Sequence, residues 1–175
     1  GAGELLVDMR RYAVAQRLYE TFLRRFPDSG ERPDVLFSLG WVKSRCEDYR
    51  GAVDTLQGLL KEHPHFSAAG QVRLTMSECF TALDRYDKAA DILASVDAPG
   101  LQKEVLLRKA WNQFKAGNGD KAAKAFAAYA EEYPDDASVD AALFNAGAAY
   151  IKAGNFSSAR KLFGRLVERD LSPTD

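Results

Sequence analysis

Few side chains in this 175-residue sequence have the types and spacing from which reactive sites are made. His63-Pro64-His65 sets two imidazoles across a proline turn, a pair that can touch a metal ion. Structural metal sites use about four ligands, and no third is apparent, so the segment reads as an exposed loop. Cys46 and Cys79 share no Cys-x-x-Cys or Cys/His spacing and read as buried free thiols serving as small apolar residues. The acid pairs Glu131-Glu132 and Asp135-Asp136 flank an expected helix end and read as solvent face. No Ser/His/Asp or Cys/His arrangement is readable, and no glycine-rich loop follows a strand. The expectation is a protein without catalytic residues, cofactor or metal. Asn155-Phe156-Ser157 matches a glycosylation sequon, but it falls in a tight turn and carries no weight. What remains is a set of aromatic and basic residues, and their placement depends on the elements around them.

Composition points to helices. Hydrophobic residues make up 46% and charged residues 28%. Much of the hydrophobic share is alanine, the best helix former. The 24 basic and 25 acidic residues nearly cancel, so no global field favours nucleic acid. No apolar run approaches the ~18–20 residues that span a bilayer. The start, Gly1-Ala2-Gly3, lacks a methionine, and Glu4–Met9 reads as the tail of a helix whose beginning is missing. The chain is therefore expected to be a piece of a longer one.

Internal repetition is the main organising signal. Small residues occur in pairs twelve apart: Gly40 and Ala52, Ser77 and Ala89, Ala110 and Ala122, Gly147 and Ala159. Four residues after the second small residue, and after Ala15, stands a large apolar one: Tyr19, Leu56, Leu93, Phe126 and Phe163. Prolines 27, 64 and 134 stop the second helix of a pair, while Pro99 ends one repeat two residues early. The spacing predicts helices over 9–26, 34–46, 49–63, 67–83, 86–96, 101–116, 119–133, 137–153 and 156–169. Asp34, Ser67 and Ser138 are the expected N-caps. Tyr12, Tyr49, Tyr86 and Phe156 mark turn edges where an aromatic caps the groove between helices. Gly119 breaks that series, so the turn at 116–119 is expected to be the loosest joint. Small residues let helices approach closely. A hairpin that cannot bury its apolar faces alone stacks on its neighbours. The expected fold is all-α: a right-handed solenoid of about four and a half helix pairs. It would comprise a half repeat at 4–27 and repeats at 34–64, 67–97, 101–134 and 137–171, forming one array over 1–175.

Leu143, Gly147, Tyr150, Ala159 and Phe163 carry a resemblance to the tetratricopeptide repeat family. Leu36, Leu39, Gly40, Ala52, Leu56 and Pro64 match in part, and Ser77, Ala110 and Gln113 depart from the pattern. The resemblance covers residues 9–171 and implies binding rather than chemistry. The alanine-to-alanine steps are 37, 37, 33 and 37 residues, against the usual 34. The extra residues follow the proline, in a lengthened first helix or a longer turn before it. Such long repeats resemble those of bacterial periplasmic and outer-membrane-associated proteins of the Tol–Pal coordinator type. The resemblance favours a periplasmic or cell-envelope location, with the cytoplasm as the alternative.

In that frame the first helices line a concave groove that holds a protein or peptide partner. The candidate residues are Phe37, Trp41, Arg45, Arg108, Trp111, Lys115, Phe144, Asn145 and Lys152. Aromatics supply contact area and cations supply orientation. The competing reading has Phe37 and Phe144 filling space between repeats and the cations merely solvated. Some family members clamp acidic peptide tails with lysine, arginine and asparagine. Here the matching face carries Ser38, Thr75, Arg108 and Asn145, which does not reproduce that clamp. No nucleic-acid partner and no membrane insertion are expected. A regulatory or targeting domain of a larger enzyme or secretion machine, and a self-associating scaffold, are the alternatives.

Overall fold

The computed structural model describes residues 2–98 and 100–171. Pro99, expected to end a repeat, and residues 172–175 lie outside the described residues. The described residues form ten α-helices and no strand: α1 (Ala2–Asp8), α2 (Tyr12–Arg25), α3 (Arg32–Arg45), α4 (Tyr49–Glu62), α5 (Ala69–Ala82), α6 (Tyr86–Ala94), α7 (Gln102–Lys115), α8 (Gly119–Glu132), α9 (Val139–Lys152) and α10 (Phe156–Leu171). Two compact units divide the chain, Gly1–Val96 with α1–α6 and Asp97–Asp175 with α7–α10. Odd-numbered helices are the first of each pair.

The repeat length has a simple origin. A 37-residue step consists of two 14-residue helices, a three-residue turn between them and a six-residue connection to the next pair. The extra residues therefore lie in the connections 26–31, 63–68 and 133–138, and the first helices are not lengthened. The 33-residue step arises because α6 has only nine residues, five fewer than its counterparts, while the connection after it has seven, one more.

Each turn within a pair uses the same backbone device. Arg10, Glu47, Asp84, Gly117 and Gly154 occupy equivalent places, and all have positive φ, from 54° to 80°. A left-handed residue after a helix lets the chain reverse while its N–H closes back on the last turn, as Gly154 does on Ile151 O at 2.9 Å. Glycine takes this conformation without penalty, whereas a side chain costs about 1 kcal/mol. Glu47 is exposed, and among the described residues its side chain has no hydrogen-bond or ion-pair partner. Glu47→Gly should raise stability by about 0.5–1 kcal/mol in a urea melt, and a loss would contradict the αL reading.

The small-large pairing sets the helix contacts. A β-carbon built on Gly40 falls 2.4 Å from Leu56, and one on Gly147 falls 2.6 Å from the Phe163 ring. Glycine on the first helix thus seats the large residue of the second. Ser77, in the glycine place of α5, is buried and turns its hydroxyl inward, donating to Leu74 O at 2.7 Å. The core of unit 2 centres on Phe126, Tyr129, Leu143 and small residues such as Ala110, Ala122 and Ala146. Unit 1 has two clusters, one around Leu56, Leu59, Met76 and Cys79, the other around Ala15, Tyr19, Leu39 and Val42.

Several local expectations are corrected. Gly119 is buried, and a β-carbon there would lie 2.8 Å from Ala149 O and 2.8 Å from Ala153 Cβ. The absent aromatic marks a tight approach of α8 to α9, not a loose joint. Phe156 is 68% exposed and so covers no groove within the described residues. The helices start earlier or later than the expected caps: Asp34 is inside α3, and Ala68 rather than Ser67 precedes α5. Ser138 precedes α9, but its side chain makes no cap bond. Asp48 and Asn155 do cap, accepting from the N–H groups of Gly51 at 3.0 Å and Ser158 at 3.3 Å. Of the two thiols, Cys79 is buried, but Cys46 is exposed at the end of α3. Burial pushes the Cys79 thiol up to about 11, so it is a poor nucleophile.

Candidate partner-binding surfaces

Unit 2 presents an apolar stripe on its first helices. On α7, Arg108, Trp111 and Lys115 fall at i, i+3 and i+7, one face of a helix. On α9, Phe144, Ala148 and Ile151 fall at i, i+4 and i+7, again one face, with Lys152 beside Ile151. Trp111 is 41%, Phe144 55% and Ile151 49% exposed. Lys152 lies with its ammonium 4.9 Å from the centre of the Phe114 ring, so these faces of α7 and α9 adjoin. Asn145 is half-buried at the edge of the α9 stripe.

The stripe is anchored from below. Trp111 packs edge-on against Phe126 of α8 at 5.3 Å and against Phe114 at 5.7 Å. Phe144 leans on Phe163 of α10 at 5.9 Å. Each exposed ring therefore has one side fixed by the core and one side open. Among the cations, Arg108 is paired with Glu104 of its own helix at 2.6 Å. Lys115 and Lys152 are exposed, and among the described residues neither has an ion-pair partner. Ile151 was missed by the sequence reading, although its place seven residues after Phe144 on an amphipathic helix was the available signal.

In unit 1 the candidates cluster on α3. Half-buried Trp41 meets Tyr12 edge-on at 5.8 Å, and the Arg45 guanidinium lies 4.8 Å over its ring. Arg45 also approaches Glu78 of α5 at 3.9 Å. Phe37 is half-buried and packs against Phe66 at 6.1 Å, so part of its area joins consecutive helix pairs. His63 and His65 border a separate surface hollow with Asp34 and Glu62. No cluster of three or more metal-type ligands occurs among the described residues.

A charged junction sits at the connection before α9. Asp136 accepts from the Tyr129 hydroxyl at 2.6 Å and from the Ser138 N–H at 2.8 Å, and it pairs with Lys103 of α7. The Lys103 ammonium, then the Tyr129 hydroxyl, hold its carboxyl well below the usual carboxylate range. Asp136 is therefore bonded within the fold and not the plain solvent face expected from the acid pair. Because the folded state depresses this pKa, its contribution is complete above the ordinary carboxylate value of about 4 and fades as pH falls below it. Thermal unfolding followed by Trp111 emission in a Trp41→Phe background, with and without Asp136→Asn, should show the stability gap at pH 7 shrinking toward pH 2. A gap independent of pH would contradict the assignment.

Fold and surfaces together define a class: an all-α protein of stacked helix hairpins, with no strand and no metal cluster among its described residues. Three family profiles described as tetratricopeptide repeat match residues 1–43, 34–65 and 113–173. Together they cover well over half of the sequence, and the chain belongs to the tetratricopeptide repeat family. Among solved structures it resembles MamA, at 18% identity over 97% of this chain and 95% of that one, with a TM-score of 0.77. MamA residues 41 to the end from Desulfovibrio magneticus RS-1 align at 15% identity over 98% and 94%, with a TM-score of 0.78. A Podosopora anserina protein assigned as a kinesin light chain, with nearly identical TPR-like repeats, aligns at 12% identity over 95% and 90%, with a TM-score of 0.78. At these identities the likeness concerns the fold alone. No curated protein sequence matches the chain significantly. No helix among the described residues is long and apolar enough to cross a membrane.

Proposed function

We propose that the protein is a non-catalytic scaffold that holds a protein or peptide partner on the exposed faces of its first helices. The observation that carries this reading is the Trp111, Phe144 and Ile151 stripe beside Lys115 and Lys152. Rings fixed on one side and open on the other lose little freedom on binding, which suits them as contact anchors. Lys115 and Lys152, which have no ion-pair partner among the described residues, favour a partner segment that carries acids beside its apolar residues. The test uses a partner identified by crosslinking and then purified. Phe144→Asp should weaken its binding at least tenfold, equivalent to about 1.4 kcal/mol, while the protein stays folded and helical despite the lost contact with Phe163. Unchanged affinity would remove the stripe as the docking site. The 37-residue step further supports a role in a bacterial cell-envelope assembly, which fractionation of the source cell tests: recovery with the cytoplasm would contradict it.

A further inference from the structure

Unit 1 contains a cavity of about 330 Å³ between α1, α2, α3 and α5. Its walls include the rings of Tyr19, Phe37 and Trp41, and its polar groups are Asp8, Ser38 and Gln71. Among the described residues the side chains of Asp8, Ser38 and Gln71 form no hydrogen bond or ion pair with the protein. The main-chain carbonyl of Gln71 accepts from the Thr75 hydroxyl at 3.1 Å. Tyr19, Phe37 and Trp41 thus line the hollow with one carboxylate and two polar groups that have no protein partner among the described residues. The volume lies at the lower end of ligand pockets and suits one long side chain with its flanking backbone.

We infer that this cavity receives an arginine side chain of a protein partner. A neutral aliphatic group would cover the three polar groups without bonding them, and that is costly. An acidic group would face Asp8. A cation meets both features of the wall, the ring faces and the carboxylate. Arginine fits better than lysine because its planar fork stacks on aromatic rings while donating to several acceptors at once. The Asp8 carboxylate, the Ser38 hydroxyl oxygen and the Gln71 amide oxygen are acceptors of that kind. Trp41 already carries one guanidinium, that of Arg45, 4.8 Å from its ring centre. Arg45 is approached by Glu78, so Asp8 is left for an incoming charge. This inference shares with the unit 2 reading only the use of first-helix surfaces, and different residues test it.

The probe is a blocked five-residue peptide of alanines around one arginine, with its citrulline twin, which has the same shape and no charge. Titration is followed by NMR on the two tryptophan indole N–H signals, with Trp111→Phe identifying that of Trp41. The arginine peptide should move the Trp41 signal saturably and bind at least tenfold more tightly than the citrulline peptide. Asp8→Asn should abolish that difference, while Phe144→Asp and Lys115→Glu leave it intact. Asp8 is exposed at a helix C-terminus, where losing a negative charge does not harm the helix. Equal binding of the two peptides, an Asp8→Asn protein that still discriminates, or movement of the Trp111 signal alone would each overturn the inference.

Discussion

Phe126→Ala should cost unit 2 about 3–5 kcal/mol, the largest effect expected of a single substitution here. Phe126 is fully buried and belongs to the α7–α10 core with Tyr129 and Leu143. It also carries the Trp111 ring, edge-on at 5.3 Å. Truncation therefore opens a cavity and removes the support beneath an exposed anchor. For a unit of this size the loss corresponds to a fall of roughly 20–30 °C in melting temperature. Trp111 emission should change even in the folded state. Phe126→Leu, which refills most of the volume, should cost about 1–2 kcal/mol and leave the emission closer to wild type. Equal effects of the two substitutions would show that packing at this site does not govern unit 2.

Gly119→Val is the second large effect, at about 3 kcal/mol of destabilisation. Its new β-carbon would lie 2.8 Å from the Ala149 carbonyl oxygen. A carbonyl oxygen of α9 cannot swing aside as a side chain can, so the α8–α9 contact itself must open. Gly164 provides the opposite case. It is an exposed helix-interior glycine of α10 with nothing within 4 Å of its β-carbon position. Gly164→Ala should therefore stabilise by about 1 kcal/mol, because alanine loses less backbone freedom and favours the helix. Urea melts of both variants decide the matter. A neutral Gly119→Val would mean that the close approach to α9 is not maintained in solution.

Much of this fold is written locally. The small residues twelve apart, the large residue four further on and the prolines place most helices within two or three residues of their observed limits. The second helices of the four full pairs begin at the anticipated 49, 86, 119 and 156. What was not legible depends on neighbours distant in sequence. The Asp135-Asp136 pair looks like solvated surface until Tyr129 and Lys103 are brought onto Asp136. Gly119 looks like slack in a turn until Ala149 and Ala153 are found against it. The Asp8 cavity draws on four helices, so no local pattern announces it. For the candidate surfaces, spacing put Trp111 and Phe144 on first helices, where both rings are exposed. It did not reveal that Arg108 and Arg45 are already engaged by Glu104 and Glu78.

The central claim, that first-helix faces hold a partner, is tested most directly by photocrosslinking in the source cell. A photoreactive phenylalanine analogue is placed at Phe144 on α9 and, as a control, at exposed Arg160 on α10. The account predicts a discrete crosslinked protein from position 144 that is lost when Lys115→Glu and Ile151→Asp are added, and none of it from position 160. The same product from both positions, or a product from 160 alone, would contradict it.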